Sequence, residues 1–190
     1  MKQLLKLIVR ELRIFYQSPK DYLYSFTELK NPKINVRAYN PNTASKAKRV
    51  IADIHKLFPN LHTHLVGSTG LHSIGRGDID LFLESEPYKF RTYLPGLISL
   101  FGKPTKIRSR FIEWNSYLYN RRVEVILIDP STKIFQNQIM QFKILKNNKQ
   151  LLREYETLKK SSKDISVWEY TRRRMDFFNK MVRSEHTYNI

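Results

Sequence analysis

Residues 61–84 read LHTHLVGSTGLHSIGRGDIDLFLE, and this stretch decides the fold. HLV is a short apolar run that ends in a turn of Gly67, Ser68, Thr69 and Gly70, and DIDLFL is a second apolar run carrying two aspartates. An ordinary buried strand avoids carboxylates, because a charge taken from water without a partner is expensive. Side chains alternate along a strand, so Asp78 and Asp80 share one face, about 7 Å apart, and Ile79, Leu81 and Leu83 take the other. Two such carboxylates repel unless a cation lies between them. Magnesium suits the pair: it prefers hard oxygen ligands and usually takes one or two carboxylates plus substrate phosphates. The Gly-Ser turn offers bare backbone that can approach a phosphate, and the next residues can open a helix whose N-terminus favours anions.

A third acid stands in RRVEVILI (121–128), where Glu124 interrupts an apolar run between Val123 and Val125. Beside DIDLFL it would complete a three-carboxylate cluster able to hold two metal ions and to serve an in-line displacement at phosphorus. The plainer alternative is a salt bridge from Glu124 to Arg121 or Arg122 on a half-exposed strand. Asp129, before Pro130, reads as a turn residue and is the reserve for the third ligand. His72 and Arg76 lie in the loop between Gly-Ser and the acids, where they can reach phosphates or simply face water.

Gly-Ser, nine residues, then Asp-Ile-Asp, with a later apolar strand bearing one acid, resembles the nucleotidyltransferase superfamily that includes DNA polymerase beta and the CCA-adding enzymes. The resemblance implies that Gly67 and Ser68 bind a nucleoside triphosphate, that Asp78 and Asp80 bind metal, and that Glu124 stands where the third carboxylate belongs. Thr69 of the same turn and Arg76 of the following loop are counted with the nucleotide-binding set. From about residue 34, INVRAYNPN, HLVGST, FKILKNNKQLLREYETLKK and EYTRRRMDFF are similar to the GrpB family, which has the nucleotidyltransferase fold and no settled substrate. GrpB proteins usually carry a longer, proline-containing stretch between Gly-Ser and the acids, where this chain has GLHSIGRG. The third acid is often missing there, whereas Glu124 is present here. Both departures lean toward a working transferase.

The remaining composition frames that reading. The 190 residues suffice for one domain with helical extensions, and 41% hydrophobic and 13% aromatic residues argue against disorder. Without cysteine there are no disulfides and no thiolate metal sites. No run approaches the roughly 18 apolar residues of a membrane span, and Lys6, Arg10, Glu11 and Arg13 interrupt the first apolar stretch as a signal peptide would not tolerate. A cytoplasmic protein is expected. Thirty-four Lys and Arg against seventeen Asp and Glu leave +17, which points to a polyanionic partner. An RNA end, such as that of a tRNA, is the preferred acceptor.

The expected layout is a helical N-terminal arm (1–32), a nucleotidyltransferase core (33–145) and a helical tail (146–190), packed as one α/β (α+β) domain with a mixed β-sheet flanked by helices. INVRAY (34–39) reads as a strand, and Thr43 as the cap of the helix ASKAKRVIADIHKLF. YKFRTYLPGLISLF is helical, with a kink or break at Pro95. TKIRSRFIEWNSYLY and RRVEVILI form a hairpin at Asn120, and three helices follow Ser131.

Of the other candidates, His62 and His64 can share a strand face, yet no HExxH or paired Cys accompanies them, so zinc is not expected. Lys106, Arg108 and Arg110 alternate onto one face of a basic strand, either tracking a nucleic-acid backbone or keeping an edge wet. In the tail Trp168, Met175, Phe178 and Val182 form a packed stripe, with Arg172, Arg173 and Arg174 beside it. The activity expected is magnesium-dependent transfer of a nucleoside monophosphate from a triphosphate to an acceptor hydroxyl. The alternatives are a non-catalytic nucleotide- or RNA-binding module, or a transferase that modifies a partner protein.

Overall fold

In the computed structural model, which describes residues 33–187, the DIDLFL run becomes an inner strand of a five-stranded mixed sheet. The strands are β1 (Thr63–Val66), β2 (Ile79–Glu84), β3 (Lys106–Arg108), β4 (Phe111–Leu118) and β5 (Arg121–Ile128), in spatial order β1-β2-β5-β4-β3. The helices are α1 (Pro41–Leu57), the single turn α2 (Gly67–Gly70), α3 (Phe90–Phe101), α4 (Lys133–Asn147), α5 (Lys149–Ser161) and α6 (Val167–Thr187). Neighbouring strands run antiparallel except β2 and β5, which are parallel. Tyr119 and Asn120, with φ of 51° and 57°, join β4 to β5. Positive φ at both positions is the primed hairpin turn, whose twist matches that of the strands it connects.

Alternation gives the sheet two different faces. One carries Ile79, Leu81 and Leu83, Val123, Val125 and Leu127, and Ile112 and Trp114, packed against Ala47, Val50 and Ile54 of α1 and Phe90, Leu97 and Phe101 of α3. The other carries Val66, Phe82 and Ile128, covered by Phe135, Ile139 and Phe142 of α4. The second cluster fills only part of its face, and the acids lie beyond it.

Local chemistry explains the ends of α1. Asn40 caps it, its Oδ1 accepting from the Asn42 N–H at 2.9 Å, and Pro41 stands where a helix has no N–H to satisfy. Thr43 is therefore not the cap: it is buried inside the first turn, and its Oγ1 accepts from Arg121 Nε at 3.1 Å. INVRAY forms no strand. Arg37 and Gly75 exchange backbone bonds of 2.8 and 3.0 Å as an isolated bridge, and Pro41 turns the chain into α1 before a ladder can grow. Pro95 does not divide α3, which follows a 3₁₀ turn (Pro87–Lys89) and runs unbroken to Phe101. The proline is exposed, so water can serve the carbonyl that loses its partner.

Residues 37–147 form one compact unit; of the other described residues, 33–36 and 148–187 form a second. Within the second, Asn148 caps α5 by accepting from Gln150 and Leu151 N–H at 3.1 and 3.0 Å. Ser166 Oγ accepts from Glu169 N–H at 3.0 Å near the start of α6. Tyr155 of α5 packs against Phe177 and Phe178 of α6, with Met175, Phe178 and Met181 buried. Arg172 and Arg173 of the arginine run both hold Glu169 at 2.8 Å, which pulls its carboxyl down to about 2. The arm expected over 1–32 and the Val182 side chain lie outside the described residues. No described helix is long and apolar enough to cross a membrane.

Trp114 is fully buried and its Nε1–H donates to Gly102 O at 3.0 Å. Trp114→Ala is expected to lower unfolding free energy by about 3–5 kcal/mol, through lost burial and the cavity left behind, read by urea denaturation.

Candidate active site

The parallel register of β2 and β5 sets Asp80 opposite Glu124, and the antiparallel register of β1 and β2 sets Val66 opposite Asp80 on the other side. The chain leaves β1 at Val66 straight into Gly67, so that residue lies against the Asp80 carboxylate. Gly67 has φ +62°, and a Cβ added there would stand 1.9 Å from Asp80 Oδ2. Only glycine fits, for both conformation and space. The expected helix is a single turn, Gly67–Gly70, too short for a helix dipole. What it offers an anion is the initial amides, which have no intrahelical acceptor.

The loop between turn and acids is closely tied. Ser73 N–H donates to Ser68 O at 3.0 Å, and Gly75 fits against Ser68, where an added Cβ would be 2.2 Å from Ser68 Oγ. Tyr39 and His72 stack with ring centroids 5.1 Å apart. Thr69 is buried and donates through Oγ1 to Asp78 O at 2.5 Å, so its hydroxyl fixes the approach to β2. Arg76 reaches back to Asp78, Nη2 to Oδ2, at 3.1 Å.

The acids act on one another. Burial, then the charges of Glu124 and Asp78, push the Asp80 carboxyl up to about 7, against the opposing pull of Arg76 and Arg122. Glu124 is also raised, by burial first and then by Glu113, with Arg76 and Arg122 again opposing. Two neighbouring carboxyls that resist ionisation, with oxygen as the only donor type, form a site that a hard dication would stabilise. By donor type Asp80 and Glu124, set side by side by the β2–β5 register, therefore suit magnesium, with Asp78, tied to Arg76, two residues before Asp80.

Several expectations change. Asp129 is no reserve ligand: it lies at the other end of β5, where Oδ2 accepts from Arg110 Nε and Nη2 at 2.9 and 2.8 Å and Oδ1 from Ser131 N–H at 2.9 Å. That pairing also removes Arg110 from the proposed basic strand, which ends at Arg108. Arg122 donates to Asn115 Oδ1 at 3.1 Å, and Arg121 is drawn to Thr43 on the other face. The site also includes residues the sequence reading passed over. Asn115 stands opposite Glu124 on β4 and donates to Glu113 Oε1 at 2.9 Å. The alternation of FIEWNSYL already put Glu113 and Asn115 on the face away from Trp114; which strand they would face was not readable.

A family model described as GrpB protein matches residues 33–184. No curated protein matches the chain. Among solved structures, the MgGTP-bound Cid1 poly(U) polymerase is 12% identical with a TM-score of 0.42, covering 60% of this chain and 40% of its own. A cytoplasmic RNA terminal U-transferase is 14% identical with a TM-score of 0.40, covering 70% of this chain and 43% of its own. The chain thus spans well under half the length of these proteins.

Two outcomes follow from this geometry. Gly67→Ala is expected to destabilise by at least about 1–2 kcal/mol for the left-handed backbone alone, with a further loss as the new methyl displaces Asp80; thermal unfolding reads both. For pH, the folded Asp80 carboxyl titrates near 7 against an ordinary 3.8. Between those values the folded state holds a proton that the unfolded chain has lost, so stability falls as pH rises through the window. At ~1.4 kcal/mol per unit this amounts to at most about 4.5 kcal/mol. In metal-free buffer the stability of Asp80→Asn relative to wild type should grow from pH 4 to 7 and level off above; a pH-independent difference would contradict the burial of this carboxyl.

Proposed function

We propose that this chain, which belongs to the GrpB protein family, is a magnesium-dependent nucleotidyltransferase that moves a nucleoside monophosphate from a triphosphate to an acceptor hydroxyl. The observation that carries the reading is Asp80 beside Glu124 on parallel strands, with the bare Cα of Gly67 closed against them. Asp78, Asp80 and Glu124 would hold the metal, two ions in the fullest form. Bound there, magnesium supplies positive charge to the phosphates and acidity to the attacking hydroxyl.

The remaining work falls to the chain. Amides of Gly67, Ser68 and Thr69 orient the terminal phosphates. Arg76 steadies Asp78 and adds positive charge at the mouth of the site. Glu124, whose proton affinity is raised, takes the proton of the acceptor hydroxyl. The acceptor oxygen then bonds to the α-phosphorus, the bond from that phosphorus to the bridging oxygen breaks, and pyrophosphate leaves. The charge of +17 favours an RNA end as acceptor.

Calorimetry with each of the four ribonucleoside triphosphates, with and without magnesium, on wild type and Asp80→Asn, tests this. Magnesium-dependent binding of at least one triphosphate, weakened about tenfold or more by the substitution, is expected. No triphosphate binding by a folded sample would sink the transferase and leave a basic binding module.

A further inference from the structure

We propose that His62, His64 and Glu84 form a second metal site, for a first-row transition-metal dication with zinc first, at the end of β2 away from the acids. Nothing in the transferase reading uses these residues. Glu84 N–H donates to His62 O at 2.9 Å, and His64 pairs with Phe82 in the β1–β2 register. His62, His64, Phe82 and Glu84 therefore share one face of the sheet. One ligand atom from each of the two histidines and the glutamate lies within 4.8 Å of the others. Around zinc with bonds of about 2.0–2.1 Å, tetrahedral ligands stand roughly 3.3 Å apart, so modest rotations close the set.

The surroundings favour a metal over a simple ion pair. His64 Nε2 already meets Glu84 Oε1 in a short contact. That pair uses two of the three residues, and the exposed His62 stands beside it on the same face, its backbone oxygen accepting from Glu84 N–H. The His64 ring is set edge-on against Phe135, centroids 5.7 Å apart, and Phe135 in turn against Phe82 at 5.8 Å. This aromatic wall holds the His64 ring and shields one side. His62 is exposed and 6.1 Å from His64, ring to ring, so the open side admits a cation and leaves a position for water or another ligand. Two imidazoles and one carboxylate are the donor set of open zinc sites. The acids at the other end of β2 offer oxygen alone, so ligand chemistry sends different metals to the two sites.

The test is titration of zinc chloride into chelator-stripped full-length protein, with excess magnesium present. One zinc per chain is expected, with affinity unchanged in Asp80→Asn and reduced at least about tenfold in His62→Ala, an exposed position whose loss leaves the fold intact. Glu84→Gln, which keeps the shape and removes the charge, should weaken zinc as well. Long-range imidazole nitrogen spectra should shift for His62 and His64 and stay put for His55 and His72. Absence of binding, binding that His62→Ala leaves unaltered, unmoved His62 and His64 signals, or zinc lost in Asp80→Asn would each overturn the proposal.

Discussion

The parallel pairing of β2 with β5 is the constraint on which the site depends. It brings Asp80 beside Glu124, two groups that repel, and it holds because of what lies on the reverse of the sheet. Ile79, Leu81, Leu83, Val123, Val125 and Leu127 are each at most 2% exposed. Burying a side chain of this size contributes about 1.5–3 kcal/mol. A slip of one residue would turn this entire set outward and bring the acids into the core. The apolar face therefore fixes the register, and the opposing acids are carried along with it. Against that sum, the at most about 4.5 kcal/mol of keeping Asp80 neutral is a tolerable cost.

Around this pair the chain departs from ordinary local preferences, and the departures lie together. Gly67 takes a left-handed backbone, Gly75 lies against the Ser68 hydroxyl, and His72 has φ of 53°. Thr69 spends its hydroxyl on the Asp78 carbonyl. These features shorten the path from β1 to β2 until the turn reaches the carboxylates. Consistency is kept elsewhere, in the capped α1 and in the primed hairpin at Tyr119 and Asn120.

What could be read from the sequence was local. Alternation placed Asp78 and Asp80 on one face, and the interruption at Glu124 marked a third acid without telling which strand it would face. The same limit hid Glu113 and Asn115 and set Asp129 apart only when Arg110 met it across a strand pair. The cap was misplaced: Thr43 carries a suitable hydroxyl, but the cap is Asn40, directly before Pro41. INVRAY alternates as a strand does, but alternation cannot supply a partner. Which basic residues are matched locally was not legible either: Arg76, Arg110, Arg172 and Arg173 are each held by a nearby carboxylate. His62 and His64 lacked a visible third ligand because Glu84 is brought to them by the antiparallel β1–β2 register.

The two proposed cation sites share one short strand, which raises the question of interference. From Asp80 to Glu84 is four residues, about 13 Å along an extended strand. Two dications at that separation repel by about 1 kcal/mol in water, before screening by salt whose Debye length is ~8 Å. Between the two ends lies the packed contact of Phe82 with Phe135, ring centroids 5.8 Å apart, an apolar stretch that separates the two donor sets. Repulsion of that size is small beside the selectivity that donor type imposes, since oxygen-only ligands suit magnesium and imidazoles suit zinc. The strand can thus carry a hard cation at its start and a borderline one at its end, each chosen by its own ligands and neither requiring the other.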